Sequence, residues 1–336
     1  MVVLSLFDGI SCGRLALERA GIPVEKYYAS EIENNAIKIS QSNYPDIIQL
    51  GDVRNINPHQ FDKPIDLLLS GSPCTNFSFS GKRNGMVTEE NVVVDTLEQY
   101  LKLKSEGVVF SGQSYLFWEF VRLLHELKPR YFLMENVVMH EKWENIITKT
   151  LGVTPIKINS ALVSAQKRER LYWTNIPGIT QPENKNISLV DILEDTTFTS
   201  PAAIRGRNIY PGTIVGRRLD ENGSRKDDDH RIPIIQCLEV RKTNTTKSNC
   251  LTTVEKDNVL TPLPVGRYPD AFGKYNGTPL QFRYYTRREY ERLQTVPDGY
   301  TDAVPESAAK KALGNAWTVD VIAHIFSFLQ KGGEHL

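Results

Sequence analysis

VVLSLFDGISCG (residues 2–13) begins with a short apolar run, passes through a turn bearing Gly9 and Gly13, and leads into helix-period sequence as far as residue 20. A buried strand that feeds a glycine turn and then a helix is the first half of a βαβ unit. In an open α/β sheet, the turn at the carboxyl end of such a strand is where nucleotide-like ligands meet the helix N-terminus. Glycines also serve plain tight turns, so the reading depends on the rest of the chain. Residues 27–30 read as a second strand and 34–43 as a helix, and 47–50, 65–69 and 131–134 as further strands. An amphipathic helix over 115–127 separates the last two, and residues 171–174 form a final strand-like piece. Strands spaced by helices predict an α/β fold with a parallel, doubly wound sheet. Beyond Pro177 the texture changes: residues 178–282 are rich in Gly, Pro, Asn and Thr, with short alternating pieces such as 232–240. This predicts a smaller, β-rich second domain, after which helical pattern returns over 287–293 and 308–329.

Composition narrows the function classes. The 336 residues carry 40 Lys and Arg against 40 Asp and Glu, so any nucleic-acid face must come from local charge. Cys12, Cys74, Cys237 and Cys250 form no CxxC pair, and six histidines are too sparse beside them to suggest zinc. A reduced, cytoplasmic chain with no metal is expected. The apolar start is interrupted by Asp8 and lacks a basic leader, and nowhere do eighteen apolar residues run together, so neither secretion nor membrane insertion is expected.

Chemistry-bearing residues collect at the predicted strand ends. Glu31, eighteen residues past Gly13, is placed to accept hydrogen bonds from ribose hydroxyls. Asp52 lies at the next strand end. Cys74 follows Gly71-Ser-Pro73 directly after the 65–69 strand, in Ser-, Thr- and Asn-rich surroundings. A free cysteine is most often a small buried hydrophobe; one at a polar cleft edge is a candidate nucleophile. Glu135 ends the strand at 131–134, and Arg168 and Arg170 precede the 171–174 strand. Singly each reads as a solvated charge, whereas together they mark one sheet edge.

In this order FDGISCG, SEIE, GDVR, GSPC, ENV, QKRER and LGNAW (residues 313–317) resemble the DNA (cytosine-5)-methyltransferases over almost the whole chain. The resemblance implies a doubly wound mixed sheet that binds S-adenosyl-L-methionine, interrupted by a small target-recognition domain. Residues 1–177 plus 283–336 would then form the catalytic domain and 178–282 the recognition domain. It implies Cys74 as nucleophile on cytosine C6, Glu135 as acid at N3, and Arg168 or Arg170 as the guanidinium near O2. Phe7, Asp8, Gly9, Ile10, Gly13, Glu31, Ile32, Asp52, Val53, Pro73, Asn315 and Ala316 would line the cofactor. Ser11 and Cys12 in the first motif and Trp317 in the last depart from the commonest bacterial pattern and are similar to the vertebrate de novo enzymes.

The implied partner is double-stranded DNA, with the enzyme a monomer and a cognate restriction endonuclease a possible companion that need not touch it. Between residues 201 and 250 ten Lys or Arg face six Asp or Glu. Arg205, Arg207, Arg217, Arg218, Arg241 and Lys242 are therefore expected on the DNA. The stretch after Cys74, residues 76–86, is expected to close over a flipped base. A nicotinamide dehydrogenase would share the glycine turn and the strand-two acid but gives Cys74 and the arginine pair no role. A catalytically dead DNA-binding relative would not need Cys74, Glu135 and Arg168 together.

Overall fold

The computed structural model describes residues 1–73, 86–194, 209–240, 247–263, 265–272, 274–275, 278–279 and 282–331. The chain forms two compact units. One comprises Met1–Asn159, Glu169–Pro182 and Val319–Leu336; the other comprises Ser160–Arg168 and Glu183–Thr318.

In the first unit, β1 (Val2–Leu6) is buried along its whole length, as a central parallel strand covered on both faces must be. It runs into α1 (Cys12–Arg19). The alternation continues through β2 (Lys26–Ser30), α2 (Asn34–Asn43), the two-residue β3 (Ile48–Gln49) and β4 (Leu67–Ser70). An excursion follows, in which β5 (Val87–Thr88) pairs with β6 (Phe110–Ser111) around α3 (Leu97–Ser105). Next come α4 (Phe117–Leu127), β7 (Tyr131–Val137), α5 (Glu141–Leu151), β8 (Ile156–Asn159) and β9 (Glu169–Thr174). The seven strands lie in the order β3-β2-β1-β4-β7-β9-β8. Strands β1 to β4 and β7 pair in parallel, while β9 runs antiparallel to both of its neighbours, so the sheet is mixed. β1 has β2 on one side and β4 on the other, which makes the carboxyl ends of β1 and β4 the point where the chain reverses its winding. Leu4, Leu68, Phe117, Trp118, Phe120, Met134 and Trp173 anchor the core beneath that edge.

The second unit is built on a five-stranded antiparallel sheet. Its strands are β10 (Tyr210–Arg217), β11 (Ile235–Val240), β12 (Val259–Thr261), β13 (Gly266–Tyr268) and, beyond the small pair β14 (Lys274–Tyr275) and β15 (Thr278–Pro279), β16 (Arg283–Tyr284). Ile214, Leu238, Val240, Val259, Tyr268 and Ala271 form its core. Helices α6 (Arg287–Leu293) and α7 (Glu306–Asn315) belong to this unit. α8 (Val319–Lys331) belongs to the first unit, where it packs on α1 and Asp320 pairs with Arg19 at 2.7 Å.

Set beside the 178–282 read from sequence texture, the second unit takes in residues 160–168 and 283–318 and leaves 178–182 to the first unit. Residues 160–168 join it because Gln166 and Arg168 are buried there among distant carbonyls, and Lys247 Nζ ties down Ala161 and Ser164. The helical pattern over 308–329 is two helices, not one. Ala316 turns extended at the end of α7, and its carbonyl is taken by the Arg168 and Gln294 side chains instead of continuing a helical ladder.

Candidate active site

The turn after β1 is wound left-handed at three residues: Phe7 (φ 55°), Gly9 (φ 60°) and Ser11 (φ 60°). Gly9 suits that conformation at no steric cost, and a Cβ built there would meet nothing within 4 Å, so the space beside it is open. Phe7 and Ser11 adopt it at a cost that only surrounding structure can hold. Ser11, fully buried as the cap of α1, is held by its hydroxyl, and Ile10 and Gly13 are buried behind it.

Glu31 fastens this turn to the end of β2. Its Oε2 accepts from the Gly9 amide at 2.8 Å, and its Oε1 accepts from the amides of Ile32 at 2.8 Å and Glu33 at 2.9 Å. A carboxylate offers about four acceptor positions, so capacity remains for a ligand hydroxyl. Ile32 beside it is 61% exposed, an apolar surface at a polar edge. Asp52 accepts from the Arg54 amide at 2.9 Å and from its guanidinium Nε at 3.0 Å. The Arg54 side chain holds the Asp52 carboxyl below its ordinary range. Val53, by contrast, is a core side chain, so only its backbone could face a ligand.

Asp8 is expected among the cofactor contacts. Its carboxylate turns inward, where Oδ2 accepts from the Ser11 hydroxyl at 2.5 Å and Oδ1 from the Tyr27 hydroxyl at 2.8 Å. Burial pushes its carboxyl up to about 6, against the opposing effect of these hydroxyls and Ser5.

At the ends of β4 and β7, Ser70 pairs with Met134, which brings the exit of β4 alongside Glu135. Cys74 lies outside the described residues, but the backbone leading to it is fixed. Asn136 Nδ2 donates to the Ser72 carbonyl at 3.2 Å and hydroxyl at 3.1 Å, and the Ser114 hydroxyl donates to the Pro73 carbonyl at 3.3 Å. Asn136 and Ser114 were missed in the sequence; the first stood in the ENV motif, and the second carried no signal. Glu135 faces Arg170 across the β7–β9 pair, with Nε 2.9 Å from Oε1 and both side chains nearly buried.

Arg168 is spent differently. At 4% exposure, its Nη1 donates to the Leu251 carbonyl at 3.2 Å and its Nη2 to those of Ala316 at 3.0 Å and Gly314 at 3.4 Å. Gln294 adds a donor to Leu313 and Ala316. The Ala316 amide itself donates to Leu313. Both backbone groups of Ala316 are thus committed inside the second unit, and Asn315 is the exposed member of that pair. Gly314 is required here, since a Cβ would lie 2.6 Å from the Thr252 carbonyl oxygen.

Of the expected DNA contacts, Arg205, Arg207, Arg241 and Lys242 lie outside the described residues, as do residues 76–85 of the stretch after Cys74. Arg217 is engaged in an ion pair, its Nε 2.9 Å from Glu239 Oε1, and the Arg218 amide donates to Asp227. Arg267, which sequence reading passed over, shares the same Glu239 oxygen at 2.9 Å and is the more exposed of the pair.

A mixed sheet of this order, with a glycine turn at its reversal point and an acid after each of the next two strands, defines a Rossmann-like α/β fold. The chain belongs to the C-5 cytosine-specific DNA methylase family, whose model matches residues 1–331. It is 31% identical over 241 residues to the orphan methyltransferase M.Rho11sI of Bacillus phage rho11s, a match covering 65% of this chain and 42% of that protein. It is 28% identical over 349 residues to the type II methyltransferase M.Eco47II of Escherichia coli, covering 95% of this chain and 76% of that one. The fold is similar to the crystal structure of S. pombe Dnmt2 methyltransferase, with TM-score 0.58, 18% identity and 99% of each chain covered.

Proposed function

We propose that the protein is a DNA (cytosine-5)-methyltransferase that modifies a cytosine flipped out of a specific duplex sequence through a covalent Cys74–C6 adduct. The observation that carries this reading is the Glu135–Arg170 pair at 2.9 Å, on the strand beside the exit toward Cys74. Asn136 and Ser114 hold Ser72 and Pro73, the backbone that leads to Cys74.

The Cys74 thiolate adds to C6 and drives electron density toward N3 and O2. Glu135, as an acid at N3, and Arg170 at O2 stabilise that charge. Arg168, committed to three carbonyls, is a structural member of the motif and not the catalytic one. With a methyl donor bound, C5 would take the methyl group as the S–CH3 bond breaks and the sulfur leaves as a thioether; loss of the C5 proton to a base and elimination would then release Cys74. S-adenosylmethionine, when bound, supplies the methyl as an electrophilic sulfonium. The donor set suits it: Glu31 for ribose hydroxyls, Asp52 for the adenine amino group, Ile32 for the ring face and open space at Gly9. We assign DNA recognition to the second unit's five-stranded sheet and its loops. The type II name of the E. coli relative suits a companion restriction endonuclease.

Transfer of labelled methyl from S-adenosylmethionine to DNA tests the reading. Cys74→Ser should abolish transfer while leaving cofactor binding intact, and duplex bearing 5-fluorocytosine should trap an adduct on Cys74. An adduct mapped to Cys12, Cys237 or Cys250 overturns the assignment.

A further inference from the structure

Beneath the left-handed turn runs an unbroken row of buried hydroxyl and carboxyl groups. Tyr27 donates to Asp8 at 2.8 Å, Asp8 meets Ser11 at 2.5 Å, and Ser11 meets Ser40 of α2 at 2.6 Å, with Gln49 of β3 3.4 Å beyond. Tyr27, Ser11 and Ser40 are all essentially inaccessible to water. The row joins β2, the start of α1, α2 and β3, and its centre is the residue between the two left-handed positions Phe7 and Gly9. A carboxyl so placed does two things at once: it fixes the Ser11 side chain that sets the start of α1, and it puts a charge under the turn.

We propose that Asp8 is a positioning residue of the cofactor turn, and that its protonation state, relayed through Ser11 and Tyr27, governs how tightly the cofactor is held. This rests on the assignment of that turn to S-adenosylmethionine. When Asp8 is ionised, Ser11 and Tyr27 both donate to it. When it takes up a proton, it donates to Ser11 Oγ, Ser11 turns its own proton toward Ser40, and Tyr27 continues to donate. Asp8, Ser11 and Tyr27 each keep a hydrogen-bond partner in both states, so the row switches direction without unfolding the turn. The groups that face Asp8 are Ser5 from β1, Ser11 from the cap of α1, and Tyr27 and Glu31 from β2; of these only Tyr27 and Glu31 are titratable. Because burial brings the Asp8 carboxyl to about 6, the switch falls within a measurable range. The cofactor carries a sulfonium and an ammonium against one carboxylate, a net single positive charge, so the ionised form of Asp8 holds it more tightly than the protonated form.

Isothermal titration of S-adenosylmethionine into the full chain between pH 5 and 7, with thermal unfolding of the same samples, is the test. Wild type should bind about threefold to tenfold more weakly at pH 5 than at pH 7, the change expected for a carboxyl whose affinity for protons falls by up to one decade on binding. Asp8→Asn, whose amide donates to Ser11 as the protonated acid does, should bind at the weak level throughout and show no lower unfolding temperature at pH 7. Tyr27→Phe removes a donor to the ionised form and should move the midpoint to higher pH; it serves if the Asn variant fails to fold. A wild-type affinity that is flat across this range, or an Asp8→Asn variant that keeps the wild-type slope, overturns the proposal. Absence of binding by wild type at every pH would instead overturn the cofactor assignment itself.

Discussion

Arg168 and Arg170 stand two residues apart in one motif and do different work. The Arg168 guanidinium answers the carbonyls of Leu251, Gly314 and Ala316, and Arg170 answers the Glu135 carboxylate. Removing Arg168 leaves buried acceptors without donors, so Arg168→Ala should cost about 2–4 kcal/mol of unfolding free energy, read by urea denaturation. Arg170→Gln should instead lower methyl transfer by about 10²–10³-fold, as loss of a charge-stabilising donor does, with a much smaller change in stability. Reversal of that pattern would exchange their roles. The sequence showed that an arginine arrives at this edge, because charge at a strand end is a local feature. It left open which one, because the carbonyls that claim Arg168 lie as far as 148 positions away.

Among the elements, β11 shows how a strand can carry a charge inside a small domain. Glu239, 7% exposed, is flanked by Arg217 from β10 and Arg267 from β13. Burial pushes its carboxyl up, but the two guanidiniums outweigh that and hold it below its ordinary value. A depressed folded-state value means that Glu239 adds stability above the unfolded carboxyl range near 4.5, and that this stability is lost as pH falls through the folded value. Glu239→Gln should therefore cost about 1–3 kcal/mol at pH 7. The gap from wild type should narrow as the pH approaches 3, and unfolding curves at the two pH values check this; a constant gap would show that the charge is immaterial. The alternating pattern over 232–240 revealed the strand. It did not reveal that Arg217, read as a phosphate contact, completes an internal ion pair, since the period of a strand says which residues share a face and not which partner another strand brings.

At the scale of the whole molecule, the second unit is assembled from two separated stretches, 160–168 and 183–318. Gln166 supplies hydrogen bonds to Leu293 and Gln294, and Arg168 to Leu251, Gly314 and Ala316, so the longer stretch alone lacks donors for its own core. A fragment of residues 183–318 should fail to fold cooperatively, seen as collapsed amide dispersion by NMR. A fragment of residues 160–318, which restores both side chains, should recover it; folding of the shorter piece would show that these bonds are dispensable. What the sequence by itself determined is the alternation of strand and helix, the glycine turn at the sheet's reversal point and the acids Glu31 and Asp52 after the second and third strands. Those follow from local periodicity, turn chemistry and the rule that successive parallel strands end at the same side. Only the tertiary structure decided where one unit gives way to the other, which arginine meets Glu135 and that Asp8 faces inward. Each of these depends on a buried polar group finding its partner far along the chain, and the cost of leaving such a group unpaired is set by the folded interior, not by its neighbours in sequence.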